Sequence, residues 1–358
     1  MAQVDLKFGK ELKKYGAIDF NACYNCGTCT AVCDLATAKD SFPRELVRQS
    51  VLGQPKEVIT SLKPWLCYYC GECTTYCPQE AKPGELMMSL RRWLTAKYDW
   101  TGLSGVFYRN LSAYIISFLL IIAGLILFAA KLDWNQELIM HYGHYFEMFA
   151  IAGVFAVILL PNIIRMWFFT ILRVEIKASF KVYVNAFSDL LLHMFTQKRI
   201  LECEEDSSAK IKWFEHFILV IGYLTLLFTT VFLDWFSSKN LFIIWLGYIE
   251  SAVIFVVTFL FIINRIEKKE ANQKYSHPSD WFFVIWLFLM GITAFAVRLF
   301  LDINILESTF WLFMVHLMVL IQWAIIIVPF GKWTHFLYRS FAMYFEKIQE
   351  LTLRPIKK

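Results

Sequence analysis

Eight of the nine cysteines form two boxes that share one internal spacing. The boxes lie 44 positions apart, and their members are Cys23, Cys26, Cys29 and Cys33 in the first and Cys67, Cys70, Cys73 and Cys77 in the second. Three thiolates at successive spacings of three can wrap one [4Fe–4S] cube from a tight loop. The fourth cysteine of such a run ligates the other cluster in two-cluster ferredoxins. The boxes therefore predict two [4Fe–4S] clusters with exchanged fourth ligands.

This exchange assigns four thiols to each cluster. The first cluster takes Cys23, Cys26, Cys29 and Cys77, and the second takes Cys67, Cys70, Cys73 and Cys33. Structural zinc is the main alternative, but it pairs two Cys-x-x-Cys hooks across a long gap, and three cysteines in succession would crowd one tetrahedral ion. Disulfides are disfavoured in a reducing cytoplasm. Cys203 lies among glutamates with no partner cysteine, which predicts an ordinary thiol.

Four histidines suggest a second kind of redox centre. His316 and His335 are nineteen residues apart, or about 28 Å along a straight helix, so they cannot serve one site. At the inner level His216 is the candidate partner for His335. At the outer level His144 is the candidate partner for His316. Two stacked histidine pairs between helices are the arrangement of bis-histidine b haems.

Other assignments remain open at this stage. His141 is an alternative outer ligand, and His193 is an alternative inner ligand. Interfacial histidines can instead bind lipid headgroups. Two carboxyl groups inside apolar stretches, Glu147 and Glu250, are candidates for proton exchange with a quinone, because ionisable groups within a bilayer are costly and usually functional. Either could also be a protonated packing residue.

The composition requires a membrane for most of the chain. Of 358 residues 58% are hydrophobic and only 18% are charged, whereas soluble domains average about 45–50% and about 25%. This excludes a disulfide-stapled secreted domain, a soluble enzyme and a nucleic-acid binder. Apolar runs long enough to cross a bilayer predict six spans, at residues 111–130, 145–172, 213–235, 241–264, 281–301 and 308–330.

Lysine and arginine counts predict the orientation of these spans. The loop between spans two and three carries seven cations and the loop between four and five carries four, while the opposite loops carry one or none. Cations accumulate on the cytoplasmic side of a membrane. Residues 1–20 contain no apolar run suited to a secretory signal. We therefore expect a multi-pass protein of the cytoplasmic membrane, with the cysteine-rich head and both termini in the cytoplasm.

The sequence thus divides into three parts with an all-α fold. Residues 1–100 form an α-helical, ferredoxin-like head, residues 101–345 form the six-span membrane domain, and residues 346–358 form a basic tail. Within the head, helices are expected at 44–52, 56–62 and 85–96. Residues 174–200 have the pattern of an amphipathic helix on the inner membrane face.

With these motifs established, the head resembles the iron–sulfur C subunit of heterodisulfide reductase. The two boxes, Phe42-Pro43-Arg44 and Trp65-x-Cys67 follow that pattern. Spans three to six resemble the cytochrome b subunits of heterodisulfide reductase and respiratory nitrate reductase. The segments that carry this second resemblance are Trp213-x-x-His216 and the stretch from His316 through Pro329-Phe330-Gly331-Lys332 to His335.

Fused in this order, the two modules are similar to the C subunits of the quinone-interacting membrane-bound oxidoreductase complexes. That resemblance implies two cytoplasmic [4Fe–4S] clusters, one or two b haems and menaquinone. It also implies soluble A and B partner subunits that contain flavin and iron–sulfur centres and exchange electrons with adenylylsulfate reductase. One departure is that the third span offers a single histidine, His216, where the nitrate reductase subunit has two. Alternatives are a heterodisulfide-reductase-like membrane arm using another carrier, and a non-redox anchor or transporter with a regulatory iron–sulfur head.

Overall fold

In the computed structural model, which describes residues 4–37, 40–198, 201, 207–268 and 273–353, the head is a set of short helices joined by loops. Its helices are α1 (Phe8–Lys13), α2 (Thr28–Ala31), α3 (Arg44–Val51), α4 (Pro55–Thr60), α5 (Lys63–Leu66), α6 (Glu72–Thr75), α7 (Pro83–Tyr98) and α8 (Leu103–Arg109). Strands are absent from these described parts, apart from one isolated bridge between Thr37 and Asp40. The expected head helices are present, and their ends differ from the expected ones by at most two residues.

The two cysteine boxes fold alike. Each box turns at a glycine, Gly27 or Gly71, whose φ is +92°, a conformation that glycine adopts without steric cost. Each glycine is followed at once by a one-turn helix, α2 or α6, and these two helices pack against each other. The sequence repeat is therefore also a structural repeat, and it brings the two boxes together.

The remaining helices build the membrane bundle. They are α9 (Leu111–Lys131), α10 (Gln136–Val154), α11 (Leu160–Trp167), α12 (Phe180–Thr196), α13 (Ser207–Val231), α14 (Leu241–Glu267), α15 (Pro278–Asp302), α16 (Trp311–Gln322), α17 (Val328–Phe330) and α18 (Thr334–Leu353). Counting α10 with α11, and α16 with the segments after it, the described residues contain six spans long and apolar enough to cross a membrane. The prediction of a mainly helical chain with six candidate spans is confirmed.

Several span boundaries differ from the predicted ones, including the starts of the second and the sixth span. The second span begins at Gln136 instead of 145, because the Asn135 side chain accepts a hydrogen bond from the Leu138 amide and caps the helix there. The sixth span begins at Trp311 instead of 308. His141 and His144 therefore lie within α10, not at its start.

The last span is not straight. It contains a π-helical turn at Trp323–Ile327 and then breaks at Gly331, whose backbone is extended. His335 belongs to the new helix α18, so the rise along one straight helix does not give its distance from His316. Helix α18 continues to Leu353, past the predicted start of the tail at 346, and packs on α12, which covers part of the predicted amphipathic stretch.

Head and bundle share one hydrophobic core. Trp65 of the head packs against Tyr338 of α18 with ring centroids 5.3 Å apart, and Arg92 of α7 pairs with Asp280 of α15 at 3.4 Å. Arg165 donates a hydrogen bond to the Tyr98 carbonyl at 2.9 Å. These contacts fix the head at one end of the bundle, which we call the head side; the opposite end is the far side.

Several sequence predictions lie outside the described residues. They are the ordinary thiol Cys203, the loop cations Arg199 and Lys269, and the basic residues 354–358.

Candidate functional site

Four thiols line one small cavity beneath the second box. Cys33 from the first box joins Cys67, Cys70 and Cys73 around a volume of about 20 Å³, which we call the thiol cavity. Burial raises the pKa of Cys73, and the neighbouring thiols of Cys67, Cys70 and Cys33 raise it further. The structure thus brings together the four residues predicted for the second cluster.

The other four thiols also gather. Burial raises the pKa of Cys29 to about 11, with further contributions from the thiols of Cys23, Cys26 and Cys77. These are the ligands predicted for the first cluster, including the exchanged Cys77. Among the described residues, no group of three or more histidine, cysteine or carboxylate side chains is arranged to hold a single metal ion. A [4Fe–4S] cube instead binds one thiolate at each of its irons.

Backbone amides point at three of the sulfur atoms. The amides of Asn25 and Tyr69 lie 3.4 Å from Sγ of Cys23 and Cys67, respectively, and the Ala81 amide lies 3.3 Å from Sγ of Cys77. Such amides stabilise a thiolate and shift the potential of a bound cluster. The donors, spacing and thiol grouping therefore fit two [4Fe–4S] clusters.

A buried arginine supports the second box. The Arg91 guanidinium donates to the carbonyl oxygens of Pro64, at 2.6 Å, and of Trp65 and Cys67. It is 6% exposed. Sequence reasoning missed this residue, since its partners are backbone atoms some 25 positions away.

We expect Arg91→Met to destabilise the second box, because each buried carbonyl left without a donor costs about 1–3 kcal/mol. Iron should fall from about eight toward about four atoms per chain during purification. The measurement is iron and sulfide per chain, with the exposed Arg48→Met as the matched control. Full iron retention in Arg91→Met would show that the support is dispensable.

Next to the thiol cavity, the Tyr69 hydroxyl donates to both carboxyl oxygens of Glu85 at 2.7 Å. Burial raises the pKa of Glu85 to about 7. At pH values between the ordinary carboxyl pKa and about 7, Glu85 therefore keeps its proton in the folded protein. In the unfolded chain Glu85 has already released its proton at these pH values. The resulting stabilisation is complete at low pH and is lost as the pH rises through about 7.

Accordingly, raising the pH from about 5 to about 8 should lower the thermal unfolding midpoint of the protein more than that of Glu85→Gln. Circular dichroism of the detergent-solubilised full chain measures both midpoints. The exposed Glu57→Gln serves as the control and should follow the unmodified protein. Equal pH dependence in Glu85→Gln would contradict this assignment.

A large cavity of about 470 Å³ lies between the head and the bundle, and we call it the head-side cavity. His216 and His335 both line it, as predicted for the inner pair. The Nδ1 atom of His216 is buried and has no hydrogen-bond partner among the described residues. Trp65 stands beside His335 with ring centroids 6.2 Å apart.

Cations surround this cavity. Its lining includes two acids, Glu215 and Asp280, of which Asp280 pairs with Arg92 and Lys332. The cations of the lining are Arg91, Arg92, Lys212, Arg265, Lys332 and Arg339. Arginine and lysine pair well with carboxylates, and haem b carries two propionates. The size, the two imidazoles and the cations therefore fit a b haem. Cys70 lines both this cavity and the thiol cavity, so the two sites adjoin.

A second cavity, of about 90 Å³, lies nearer the far side between α10, α13, α15 and α16, and we call it the far-side cavity. His316 and Glu147 both line it. The Thr293 hydroxyl donates to the Leu289 carbonyl at 2.7 Å and lies 2.9 Å from Nδ1 of His316. Thr293 thus contacts Nδ1 of His316, and Nε2 is the ring nitrogen without this contact.

The structure separates the other predicted residues from these cavities. His144 does not line the far-side cavity; its Nδ1 lies 3.9 Å from Asp234. His141 is exposed and packs on Tyr145, and His193 lies at the end of α12 outside both cavities. Glu250 packs at Gly222, where an added Cβ would lie 3.1 Å from its Oε2. The ligand roles of His144, His141 and His193 stay predictions.

Two aromatic residues divide the cavities, and no pattern in the sequence marked them. Tyr223 and Trp323 line both cavities, and the Trp323 indole donates to the Tyr223 hydroxyl at 3.1 Å. The sites therefore follow one another in the order far-side cavity, head-side cavity, thiol cavity and first box.

This arrangement defines the class: an iron–sulfur protein whose head is built onto candidate membrane-spanning helices. Comparison with known proteins agrees, because residues 19–81 match the 4Fe-4S dicluster domain family. The [4Fe–4S] prediction is thereby confirmed at the level of the domain.

Two relatives narrow the comparison from a domain family to a kind of protein subunit. Both are C subunits of H(2):CoB-CoM heterodisulfide,ferredoxin reductase, from Methanothermobacter thermautotrophicus and Methanothermobacter marburgensis. Each is 29% identical to this chain over 79 residues, which is 22% of this chain and 43% of the relative. The chain thus spans less than half the length of these relatives. No solved structure matches it. The matches support a redox electron-transfer subunit with a head like theirs.

Proposed function

We propose that this protein is the membrane electron-transfer subunit of a quinone-interacting oxidoreductase complex. It exchanges electrons between menaquinol and the soluble A and B partner subunits, which contain flavin and iron–sulfur centres and are linked to adenylylsulfate reductase. The proposal places it in the cytoplasmic membrane with the head in the cytoplasm, on the basis of the cation-rich loops.

One observation carries the proposal: Cys70 lines both the thiol cavity and the head-side cavity that contains His216 and His335. A haem ligated by these histidines would adjoin the second cluster. When bound, the haem and the clusters each take up and release one electron at a time. Between the haem and the second cluster, Trp65 would stand beside the ligand His335. Arg91 fixes the segment that leads into the second box by donating to the Pro64 carbonyl.

The other end of the series reaches the protein surface. Cys26 is exposed, and the neighbouring Tyr24 is 59% exposed. Cys77 brings a ligand of the second box to this first site. These exposures support a path in which the first cluster meets a soluble partner and the second cluster meets the membrane domain.

Optical and magnetic spectroscopy of the full chain test this function. We expect anaerobically purified protein to show b-type bands in reduced-minus-oxidised spectra and one or two haems per chain by extraction. We also expect reduced-cluster signals after addition of menadiol, a tail-less menaquinol. A preparation that holds clusters but has no b-type bands would overturn the proposal and favour the anchor with a regulatory head.

A second candidate is the membrane arm of a heterodisulfide-reductase-like complex with another carrier. The similarity of the head to the two Methanothermobacter relatives favours it. Reduction of haem and clusters by dithionite but not by menadiol would select this alternative.

A further inference from the structure

One buried carboxylate lies where the head, the membrane bundle and the broken last span meet. Asp280 is in the first turn of α15 and is 8% exposed. Its Oδ1 lies 2.9 Å from Nζ of Lys332, and its Oδ2 lies 3.4 Å from Nη2 of Arg92. Arg92 belongs to the head helix α7, and Lys332 lies in the segment between α17 and α18. One acid therefore holds two cations that come from two separate elements.

The start of α15 holds this carboxylate in place. Oδ2 of Asp280 accepts a hydrogen bond from the His277 amide at 3.1 Å, while Nδ1 of His277 accepts one from the Ser279 amide at 3.2 Å. This reciprocal arrangement is a capping box, which fixes the first turn of a helix. Because the backbone binds one of its oxygens, the Asp280 side chain cannot follow a partner that moves. The positions of Arg92 and Lys332 are therefore set by Asp280.

Arg92 joins the carboxylate to the amino-terminal part of the head. Its Nη1 donates to the Tyr15 carbonyl at 2.8 Å. The next residue, Gly16, has a φ of +91°, and a Cβ added there would lie 2.9 Å from Nη1 of Arg92. Glycine is required at such a close approach. The Arg92 side chain thus connects Asp280 directly to the backbone of the head.

Lys332 joins the carboxylate to the break in the last span. The Thr334 hydroxyl donates to the Gly331 carbonyl at 2.9 Å, a contact that is local to this segment. The ion pair of Lys332 with Asp280 instead connects the break to α15. Since α18 begins two residues after Lys332 and His335 is its second residue, this ion pair bears on the placement of His335.

Asp280 is also placed to act electrostatically on two sites. It lines the head-side cavity together with His335. Its charge also reaches Glu85 beside the thiol cavity: burial is the main cause of the raised pKa of Glu85, to which Asp280 adds while Arg92 opposes it. A negative charge near a redox centre favours the oxidised state, and a positive charge favours the reduced state.

We infer that Asp280 is a positioning residue that couples docking of the head to haem binding. It holds Arg92 of the head and Lys332 of the break on one carboxylate, so that the head and the start of α18 take up their positions together. Its charge also keeps the potential of a haem between His216 and His335 below the value that the surrounding cations alone would give. That haem rests on the proposed function, whereas the contacts among the three charged residues do not.

Two neutral substitutions in the full chain separate the effect of charge from that of packing. Asp280→Asn removes the acid, and Lys332→Gln removes one of its cations. We expect Asp280→Asn to raise the midpoint potential of the haem and Lys332→Gln to lower it, as measured by optical redox titration. The double variant should have a potential between those of the single variants. A role in packing alone would not move the two potentials in opposite directions.

Amide hydrogen exchange, followed by mass spectrometry, measures the positioning without reference to the haem. In Asp280→Asn the cations Arg92 and Lys332 lose their common partner, and an uncompensated buried charge is strongly destabilising. We expect exchange in α7 and in the first turn of α18 to become at least about tenfold faster in this variant. Asp280→Glu keeps the charge and should restore most of the protection.

The matched control is Asp302→Asn, which breaks the ion pair with Arg298 at the other end of α15. It should leave exchange in α7, exchange at the start of α18 and the potential of this haem unchanged. If Asp280→Asn yields no folded protein, Lys332→Gln alone carries the test, because an unchanged potential there would contradict the inference.

The outcomes distinguish this inference from the proposed function. Potentials that shift in the same direction in Asp280→Asn and Lys332→Gln, or native exchange in Asp280→Asn, would overturn the inference and leave the proposed function intact. Absence of b-type haem from the unmodified protein would instead defeat the proposed function. Faster exchange in Asp280→Asn would then still support the joint positioning of the head and α18.

Discussion

Replacement of His335 by alanine is expected to remove the b-type absorbance almost completely and to reduce menadiol-driven cluster reduction to background. His335 is the second residue of α18, which follows the break at Gly331, and it shares the head-side cavity with His216. Loss of this imidazole would remove one of the two residues that would hold the haem, and it would open space beside Trp65. Dithionite should still reduce both clusters, because the cysteines are untouched.

A second substitution separates ligation from folding. His335→Met offers a thioether, and histidine–methionine ligation raises the potential of a haem. We therefore expect this variant to keep haem with a higher potential, as measured by redox titration. His277→Asn is the control, because asparagine can still cap α15, and it should retain the haem unchanged. Full haem content at an unaltered potential in His335→Met would contradict the ligand assignment.

Local patterns predicted the parts of this molecule that depend on spacing along the chain. The thiol groups follow from the repeat of the boxes, because a run of cysteines at intervals of three fixes its own loop, and each box turns at a glycine. The spans follow from hydropathy. The start of the second span was placed too late, since the stretch from Gln136 to Glu147 mixes histidine, tyrosine and glutamate with apolar residues.

The assignment of histidines to cavities depends on features that hydropathy does not contain. His144 and Glu147 are one turn apart on α10, and the rotation of that helix decides which side chain reaches His316. At the point of contact with α16, a Cβ added at Gly143 would lie 3.1 Å from the Leu317 side chain, so a small residue is needed there. Likewise, the break at Gly331 places His335 on a separate helix, and Arg91 acts on backbone carbonyls that no motif records.

The exchange of ligands between the boxes predicts a crossed pattern of cluster loss. Cys29→Ser defines the spectrum of protein that lacks the first cluster, and Cys73→Ser defines that of protein that lacks the second. Although Cys77 belongs to the second box, Cys77→Ser should reproduce the spectrum of Cys29→Ser, because its thiol stands with those of the first site.

Cys33→Ser should in turn have the same spectrum as Cys73→Ser, because Cys33 lines the thiol cavity with Cys67, Cys70 and Cys73. Each variant should lose about half of about eight irons, as measured by iron analysis and electron paramagnetic resonance. Cys203→Ser is the control and should keep all of its iron.

The loss of the first cluster and the loss of the second cluster should also differ in their effect on electron transfer. Without the second cluster, menadiol should reduce the haem but not the first cluster, because Cys70 lines both the thiol cavity and the head-side cavity. If Cys77→Ser resembled Cys73→Ser instead, each box would hold its own cluster, and the order of centres along the chain would have to be reassigned.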